Sequence, residues 1–186
     1  MMPIDVQIPP FHIPEEEWRA LSICERALLM AGQECDVYHT QEIPKYSNRG
    51  PRVDEMLRVA HCGPGNPWCA AFVTWCLLKS CWDPFSDVPG QGVMYPASVV
   101  SWVAWAKRSG RHRSAPARGH LGYFDKPGET HIFWISHVLW GLEEVETIEG
   151  NTNTDGSRDG WEVARRHRMT HSPTGYIDLE GLKARS

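Results

Sequence analysis

The sequence predicts an α+β protein, with helices in its N-terminal half and an antiparallel sheet in its C-terminal half. Apolar residues recur at helical spacing before Gly110, whereas short alternating or continuous apolar runs follow it. The chain has 186 residues and 41% apolar content, which is enough for one domain with a substantial core. We therefore expect one domain over residues 15–186, large enough for an enzyme, preceded by an extended, proline-rich arm over residues 1–14.

Four helices are predicted from apolar periodicity and from helix start and stop signals. The first begins at Glu15, where three acidic residues occupy the first turn, and is expected to end at Gly32. The second ends before Gly63, and the fourth begins near Ser98 and ends at Gly110. The helices are expected over residues 15–31, 53–60, 66–80 and 98–109, and about five strands over residues 120–124, 131–140, 145–149, 161–168 and 176–179.

The stretch from Asn66 to Ser80 is the most informative part of the chain. Asn66 can cap a helix and Pro67 suits its first position, so Cys69 should lie in the first turn. The positive end of the helix dipole favours a thiolate there over a thiol. Most residues that follow are apolar, which indicates a buried helix. Cys69 is therefore either a nucleophile or a small core residue.

A cysteine nucleophile needs a base and a group that orients the base. Of the nine histidines, His137 is the best candidate, because it lies within an apolar strand. The alternative for His137 is a core histidine with satisfied hydrogen bonds. The next strand ends in Glu149 and Asn151, which share one face at positions i and i+2. These two side chains either hold an imidazole or mark a strand end that continues into a polar turn.

A strand register follows from the length of the predicted hairpin connection. If residues 142–144 connect the two strands, His137 lies directly opposite Glu149. Directly opposed Cβ atoms are about 4.5–5.5 Å apart, which allows a side-chain hydrogen bond. Asn151 would meet His137 only diagonally, at roughly 7–8 Å. This register predicts that Glu149 is the main orienting residue and Asn151 a secondary one.

Composition narrows the possible partners and locations. A net charge of −4 without a basic cluster indicates neither a nucleic-acid partner nor a membrane-surface partner. No run approaches the ~20 apolar residues of a membrane span, and residues 1–20 lack the apolar segment of a secretory signal. We expect synthesis in the cytoplasm, and a carrier if the protein acts elsewhere. Six cysteines without a signal predict mostly free thiols.

Two patterns in the sequence are candidates for metal sites. Cys62, Cys69 and Cys76 are spaced by seven residues, which matches no common zinc site. Residues 151–162 fit an EF-hand calcium loop except for asparagine at its first position. Strands rather than helices are expected on both sides of this loop, and Asp155-Gly156 forms a good turn by itself. We therefore expect no metal and no cofactor.

Three blocks together carry a family resemblance: Asn66-Pro-Trp-Cys-Ala-Ala-Phe-Val-Thr-Trp-Cys-Leu77, Ser136-His-Val138 and Ile148-Glu-Gly-Asn151. In this order they resemble CHAP-type cell-wall hydrolases, which are cysteine, histidine-dependent amidohydrolases/peptidases related to the NlpC-type enzymes. The resemblance extends over residues 21–168. It implies a papain-like fold and a catalytic set of Cys69, His137, Glu149 and Asn151. The sequence departs from the family at His120, where an aspartate usually follows the glycine.

By this resemblance the protein should hydrolyse an amide bond in or next to the stem peptide of peptidoglycan. Cys69 would attack the carbonyl carbon, with its own backbone N–H as one oxyanion donor. Trp68 is expected to line the substrate groove, and Tyr46 or another polar side chain of residues 33–51 to supply the second oxyanion donor. The protein would act on the cell wall as a phage endolysin or as an injected antibacterial effector.

Peptidoglycan is the partner implied by either role, and delivery machinery and an immunity protein are further partners of an effector. Two alternatives belong to other classes. One is a cytoplasmic thiol protease that acts on proteins. The other is a non-catalytic binding module of papain-like fold.

Overall fold

The computed structural model describes residues 13–85, 92–153 and 160–184. Within these residues, five α-helices precede a six-stranded antiparallel sheet, so the predicted α+β class is confirmed. Residues 1–12 of the predicted N-terminal arm lie outside the described residues. No helix in the described part of the chain is long and apolar enough to cross a membrane.

The helices and strands follow the predicted order. The helices are α1 (Glu15–Ala20), α2 (Ile23–Asp36), α3 (Pro51–Val59), α4 (Cys69–Lys79) and α5 (Val99–Arg108). The strands are β1 (His112–Arg113), β2 (Leu121–Lys126), β3 (Glu129–Leu139), β4 (Glu144–Thr152), β5 (Glu162–Met169) and β6 (Gly175–Ile177). The sheet order is β1-β6-β2-β3-β4-β5, and the two-residue strand β1 is the one that the sequence did not indicate.

The first predicted helix is in fact two helices. Ser22 starts α2 with a capping box, in which its side chain accepts from the backbone of Glu25 and the Glu25 carboxylate accepts from the backbone of Ser22. Gly32 lies inside α2 and does not end it, so that prediction was wrong. A capping box within an apolar periodic pattern is the local signal that separates α1 from α2.

Helix α4 lies at the centre of the core. Every residue from Cys69 to Leu77 is buried, which confirms the prediction of a buried helix. Ile132, Trp134 and Ile148 extend the same core from strands β3 and β4. A smaller apolar cluster lies elsewhere on the sheet; it consists of Phe124, Phe133, Ile135, Val145 and Tyr176. The packing of α4 on β3 and β4 brings the helix start close to both strands.

The predicted register of β3 and β4 was wrong. His137 lies opposite Glu146, not opposite Glu149. The connection comprises a 3₁₀ turn, Trp140–Leu142, and then Glu143 in the left-handed conformation, which moves each pair by three residues relative to the expected hairpin. A bulge at Ser136 adds one residue more. The Ser136 hydroxyl donates to the Glu146 carbonyl at 3.0 Å, which holds the bulge in place.

Candidate active site

Cys69 is the first residue of α4, as the local sequence indicated. The cap differs from the prediction. Trp68 occupies the N-cap position without a capping side chain, whereas the Asn66 amide donates to the Gly63 carbonyl at 2.9 Å. The backbone N–H of Trp68 instead donates to Asn151 Oδ1 at 2.9 Å. The start of α4 is therefore held by a side chain from strand β4.

Gly150 explains how β4 can approach the helix start so closely. A Cβ atom at this position would lie 2.8 Å from atoms of both Phe72 and Trp68. Such a distance is shorter than real Cβ contacts, so only glycine fits between Glu149 and Asn151. The Glu-Gly-Asn sequence thus combines two polar side chains with the close backbone approach that brings them to α4.

His131 is the histidine that contacts Cys69. Its imidazole hydrogen-bonds to the Cys69 thiol. Its Nε2 lies 2.9 Å from Glu149 Oε2, which leaves Nδ1 for the sulfur. The His131 side chain is only 14% exposed. Cys69, His131 and Glu149 therefore form a continuous hydrogen-bonded chain.

His137 does not belong to this chain, and its assignment as the base was wrong. Its side chain is 61% exposed, and its Nδ1 lies 3.5 Å from Glu146 Oε1. It lines a separate pocket of about 220 Å³ beside residues of α2. The Ser136 bulge and the longer connection are the physical reasons, because they shift His137 away from Glu149.

A signal for His131 was present in the sequence. Glu149 lies near the C-terminal end of β4, and in an antiparallel hairpin that end pairs with the N-terminal end of the preceding strand. His131 lies in the N-terminal part of β3, whereas His137 lies next to the connection. The apolar neighbours of His137 outweighed this topological argument in the sequence-based interpretation.

Glu149 is fully buried, and Arg168 on β5 holds it in a bidentate ion pair. Arg168 Nε donates to Oε1 at 2.6 Å and Nη2 to Oε2 at 2.7 Å. The guanidinium also lies 5.0 Å from the ring centre of Phe124 and 4.9 Å from that of Phe133. The Thr147 hydroxyl gives Glu149 a further hydrogen bond. The sequence-based interpretation did not identify Arg168.

Hydrogen bonds shift the pKa of Cys69, His131 and Glu149 in the direction that favours the ionised form of each. Burial opposes the ionised forms, yet hydrogen bonds to Cys69 and Glu149 raise the pKa of His131 to about 9. Burial likewise opposes ionisation of Glu149, but hydrogen bonds from Arg168 and His131 lower its pKa to about 2. Burial also raises the pKa of Cys69, and the hydrogen bond from His131 outweighs this effect and lowers it. The hydrogen bond between the two side chains therefore favours a thiolate beside an imidazolium over the neutral pair.

Backbone groups also stabilise the Cys69 thiolate. The N–H groups of Ile132 and Ala70 both hydrogen-bond to the sulfur and lower its pKa. The Cys69 N–H itself lies in the first turn of α4, where no intrahelical acceptor exists. It is therefore available to a substrate carbonyl, as the sequence analysis expected.

Asn151 lies at the site but does not orient the imidazole in this arrangement. Its Oδ1 accepts from Trp68 N–H, and its Nδ2 donates to the Gly160 carbonyl at 2.7 Å. Its backbone is left-handed, with φ of 57°. Glu42, which is buried, accepts from the indole N–H of Trp68 at 2.9 Å. Asn151 and Glu42 together position the backbone that carries Cys69.

The site opens into a cleft of about 820 Å³. Tyr46 lines this cleft and is 67% exposed, which is compatible with the expected contact to substrate. Trp68 is completely buried, so the prediction that its side chain lines the groove was wrong. The other walls combine apolar side chains, among them Pro67, Ala97 and Val99, with uncharged polar ones, which include Asn48, Asn66, Ser98 and Thr130.

No metal site accompanies the cleft in the described part of the chain. There, no group of three or more histidine, cysteine, aspartate and glutamate side chains is arranged to hold an ion. Residues 154–159 of the segment that fits an EF-hand calcium loop lie outside the described residues. All six cysteines are free thiols.

Comparisons with protein-family models, curated proteins and solved structures found no match for this chain. The resemblance to CHAP-type hydrolases and the papain-like fold therefore stay predictions. The chemistry of the site follows from its own geometry: Cys69 and His131 line a cleft, and the buried carboxylate of Glu149 holds the far side of the imidazole.

This geometry predicts selective alkylation of one thiol. Iodoacetamide at pH 7 should modify Cys69 first, because burial raises the pKa of Cys24 and of Cys35 to about 11 and raises that of Cys76 well above its usual range. The rate depends on the thiolate fraction, which the hydrogen bond from His131 increases at Cys69. Peptide mass spectrometry over a time course measures the order of labelling. Faster modification of Cys24 or Cys35 would contradict the ion pair.

Proposed function

We propose that this protein is a peptidoglycan hydrolase of papain-like fold that cleaves an amide bond in or next to the stem peptide. The observation that carries the proposal is the hydrogen-bonded chain from Cys69 through His131 to Glu149 at the start of a buried helix. The chain order of these residue types, cysteine, histidine and glutamate, is that of the CHAP-type enzymes. His131 takes the role that the sequence analysis assigned to His137.

The reaction proceeds through a thioester. The Cys69 thiolate attacks the carbonyl carbon, and the carbonyl electron pair moves onto the oxygen. As the pair returns, the C–N bond breaks and the His131 imidazolium gives its proton to the leaving amine. Neutral His131 then takes a proton from water, which attacks the thioester. The acid product leaves, and the thiolate and imidazolium are restored.

Glu149 and Arg168 keep the imidazole charged and oriented during this cycle. Glu149 accepts from Nε2, so Nδ1 stays directed at the sulfur. Arg168 holds the Glu149 carboxylate through both oxygens, which restricts its rotation. Asn151 contributes by holding the start of α4 rather than by contacting the imidazole.

Digestion of purified peptidoglycan, followed by mass spectrometry of the soluble fragments, tests the proposal. We expect fragments with new amino and carboxyl ends from the wild type and none from Cys69→Ala. A new terminus on the first stem residue identifies an amidase, and a shortened stem identifies an endopeptidase. Casein is digested in parallel. If casein is cleaved and peptidoglycan stays intact, the protein is a thiol protease that acts on proteins. If neither substrate is cleaved, the result indicates a binding module.

The proposed biological role is that of an endolysin or an antibacterial effector. Both roles require access to the cell wall, and an effector also requires an immunity protein in the cell that makes it. Expression of the wild type with export to the periplasm should lyse cells, and export of Cys69→Ala should not.

A further inference from the structure

Asn48 is fixed in the wall of the active-site cleft by its own polar groups. Its backbone N–H donates to the buried carboxylate of Glu42 at 2.8 Å. Its carbonyl accepts from the backbone N–H of Gly65 at 3.1 Å. Its φ of 51° is left-handed, a conformation that asparagine adopts more readily than most residues. The backbone of Asn48 is therefore held on both sides.

The direction of the Asn48 carboxamide follows from a chain of hydrogen bonds. The backbone N–H of Trp68 needs an acceptor, so Asn151 presents Oδ1 to it and Nδ2 to the Gly160 carbonyl. The same Nδ2 donates to Asn48 at 3.3 Å. Because a donor requires an acceptor, Asn48 must present Oδ1 to Asn151. Two backbone groups thus determine which atom of Asn48 is oxygen and which is nitrogen.

The remaining polar atom of Asn48 is its amide nitrogen. Among the residues that the structure describes, Nδ2 donates to no acceptor, and Asn48 lines the same cleft as Cys69. Asn151 links the two positions, because it contacts both Asn48 and the residue before Cys69. An N–H donor held at a cleft without an internal acceptor is available to a substrate oxygen.

We propose that Asn48 Nδ2 is the second oxyanion donor of this site and acts together with the backbone N–H of Cys69. The inference rests on the proposed thioester chemistry. When the thiolate adds to the carbonyl carbon, the C=O electron pair moves to the oxygen, and both N–H groups donate to the resulting anion. Tyr46, which the sequence suggested for this role, is largely exposed, whereas the backbone of Asn48 is held on both sides.

Acylation by p-nitrophenyl acetate tests Asn48 without peptidoglycan. Thiolate attack forms acetyl-Cys69 and releases p-nitrophenolate, which is followed as a burst. In Asn48→Ala the acylation rate should fall by about 10²–10³-fold, the usual loss of one oxyanion donor. Alkylation of Cys69 by iodoacetamide forms no oxyanion, so its rate should change by less than about threefold. Asn48→Asp keeps the acceptor for Asn151 and should likewise show slower acylation with a nearly unchanged alkylation rate.

Gln41→Ala is the matched control, because this exposed carboxamide is not among the residues that line the cleft. Its burst should equal that of the wild type. Unchanged acylation in Asn48→Ala and Asn48→Asp would overturn the proposal. Equal losses of acylation and alkylation would also overturn it, because they would indicate that Asn48 only positions the thiol. If the wild-type burst were no larger than that of Cys69→Ala, Cys69 would not form a thioester, and both the proposed mechanism and the role of Asn48 would be refuted. Failure to digest peptidoglycan alone concerns the substrate and leaves this test unchanged.

Discussion

His131→Ala should abolish hydrolysis, whereas His137→Ala should retain it. In the proposed mechanism the His131 imidazolium both stabilises the Cys69 thiolate and protonates the leaving amine, so its loss removes two contributions at once. We expect kcat to fall by at least about 10³-fold, within the range that a positioned acid–base group supplies. The rate of p-nitrophenolate release and the digestion of peptidoglycan both measure this effect.

His137→Ala is the internal control for this comparison. His137 lies on the same strand, but its side chain is largely exposed and contacts Glu146 rather than Glu149. Its removal should change kcat by less than about threefold and stability by less than about 0.5 kcal/mol, as is usual for surface positions. If His137→Ala were the more damaging variant, the hydrogen-bonded chain through His131 would not be the catalytic one.

Arg168→Met should destabilise the protein in a pH-dependent way. Removal of the guanidinium leaves the buried Glu149 carboxylate without its bidentate partner, which costs about 3 kcal/mol in unfolding free energy. Activity should fall as well, because Glu149 no longer has a fixed orientation toward His131. Arg168→Lys keeps the positive charge but cannot form the bidentate pair, so its stability and activity should lie between those of Arg168→Met and the wild type.

The sign of the pH dependence follows from Glu149. Its pKa is lowered from an ordinary value of 4.5 to about 2, so its ionisation contributes stability above pH 4.5 that is lost as the pH falls toward 2. The stability difference between wild type and Arg168→Met should therefore be largest above pH 4.5 and narrow below it. Urea unfolding from pH 3 to pH 7 measures this difference.

Arg165→Met provides the matched control on the same strand. Arg165 pairs with Asp36 and Glu146 at the surface, where such pairs contribute about 0–1 kcal/mol. A pH-independent loss in Arg168→Met, or an equal loss in Arg165→Met, would refute the assignment of Arg168 as the residue that keeps Glu149 ionised and oriented.

Cys69 and the class of the fold could be predicted from the sequence because their signals are local. A Gly-Pro-Gly break and a long apolar run specify the start and burial of α4 within about 15 residues of chain. Pro67 was wrongly expected at the first helical position; it lies before the N-cap residue Trp68. The periodicity change after Gly110 likewise separates helices from strands without any long-range information. Glu149 was found for the same reason, since it lies at a strand end in the Ile-Glu-Gly-Asn sequence.

The partners of these residues were decided by tertiary structure. The register of two strands depends on the exact connection between them and on bulges. A shift of one residue turns every side chain of a strand to the opposite face of the sheet. The 3₁₀ turn and the Ser136 bulge move His137 away from Glu149, and the side chain that contacts Glu149 is His131. Side chains distant in sequence complete the site, as Arg168 does from β5. No local pattern specifies which distant side chain will satisfy a buried carboxylate, because only the packed sheet brings the two together.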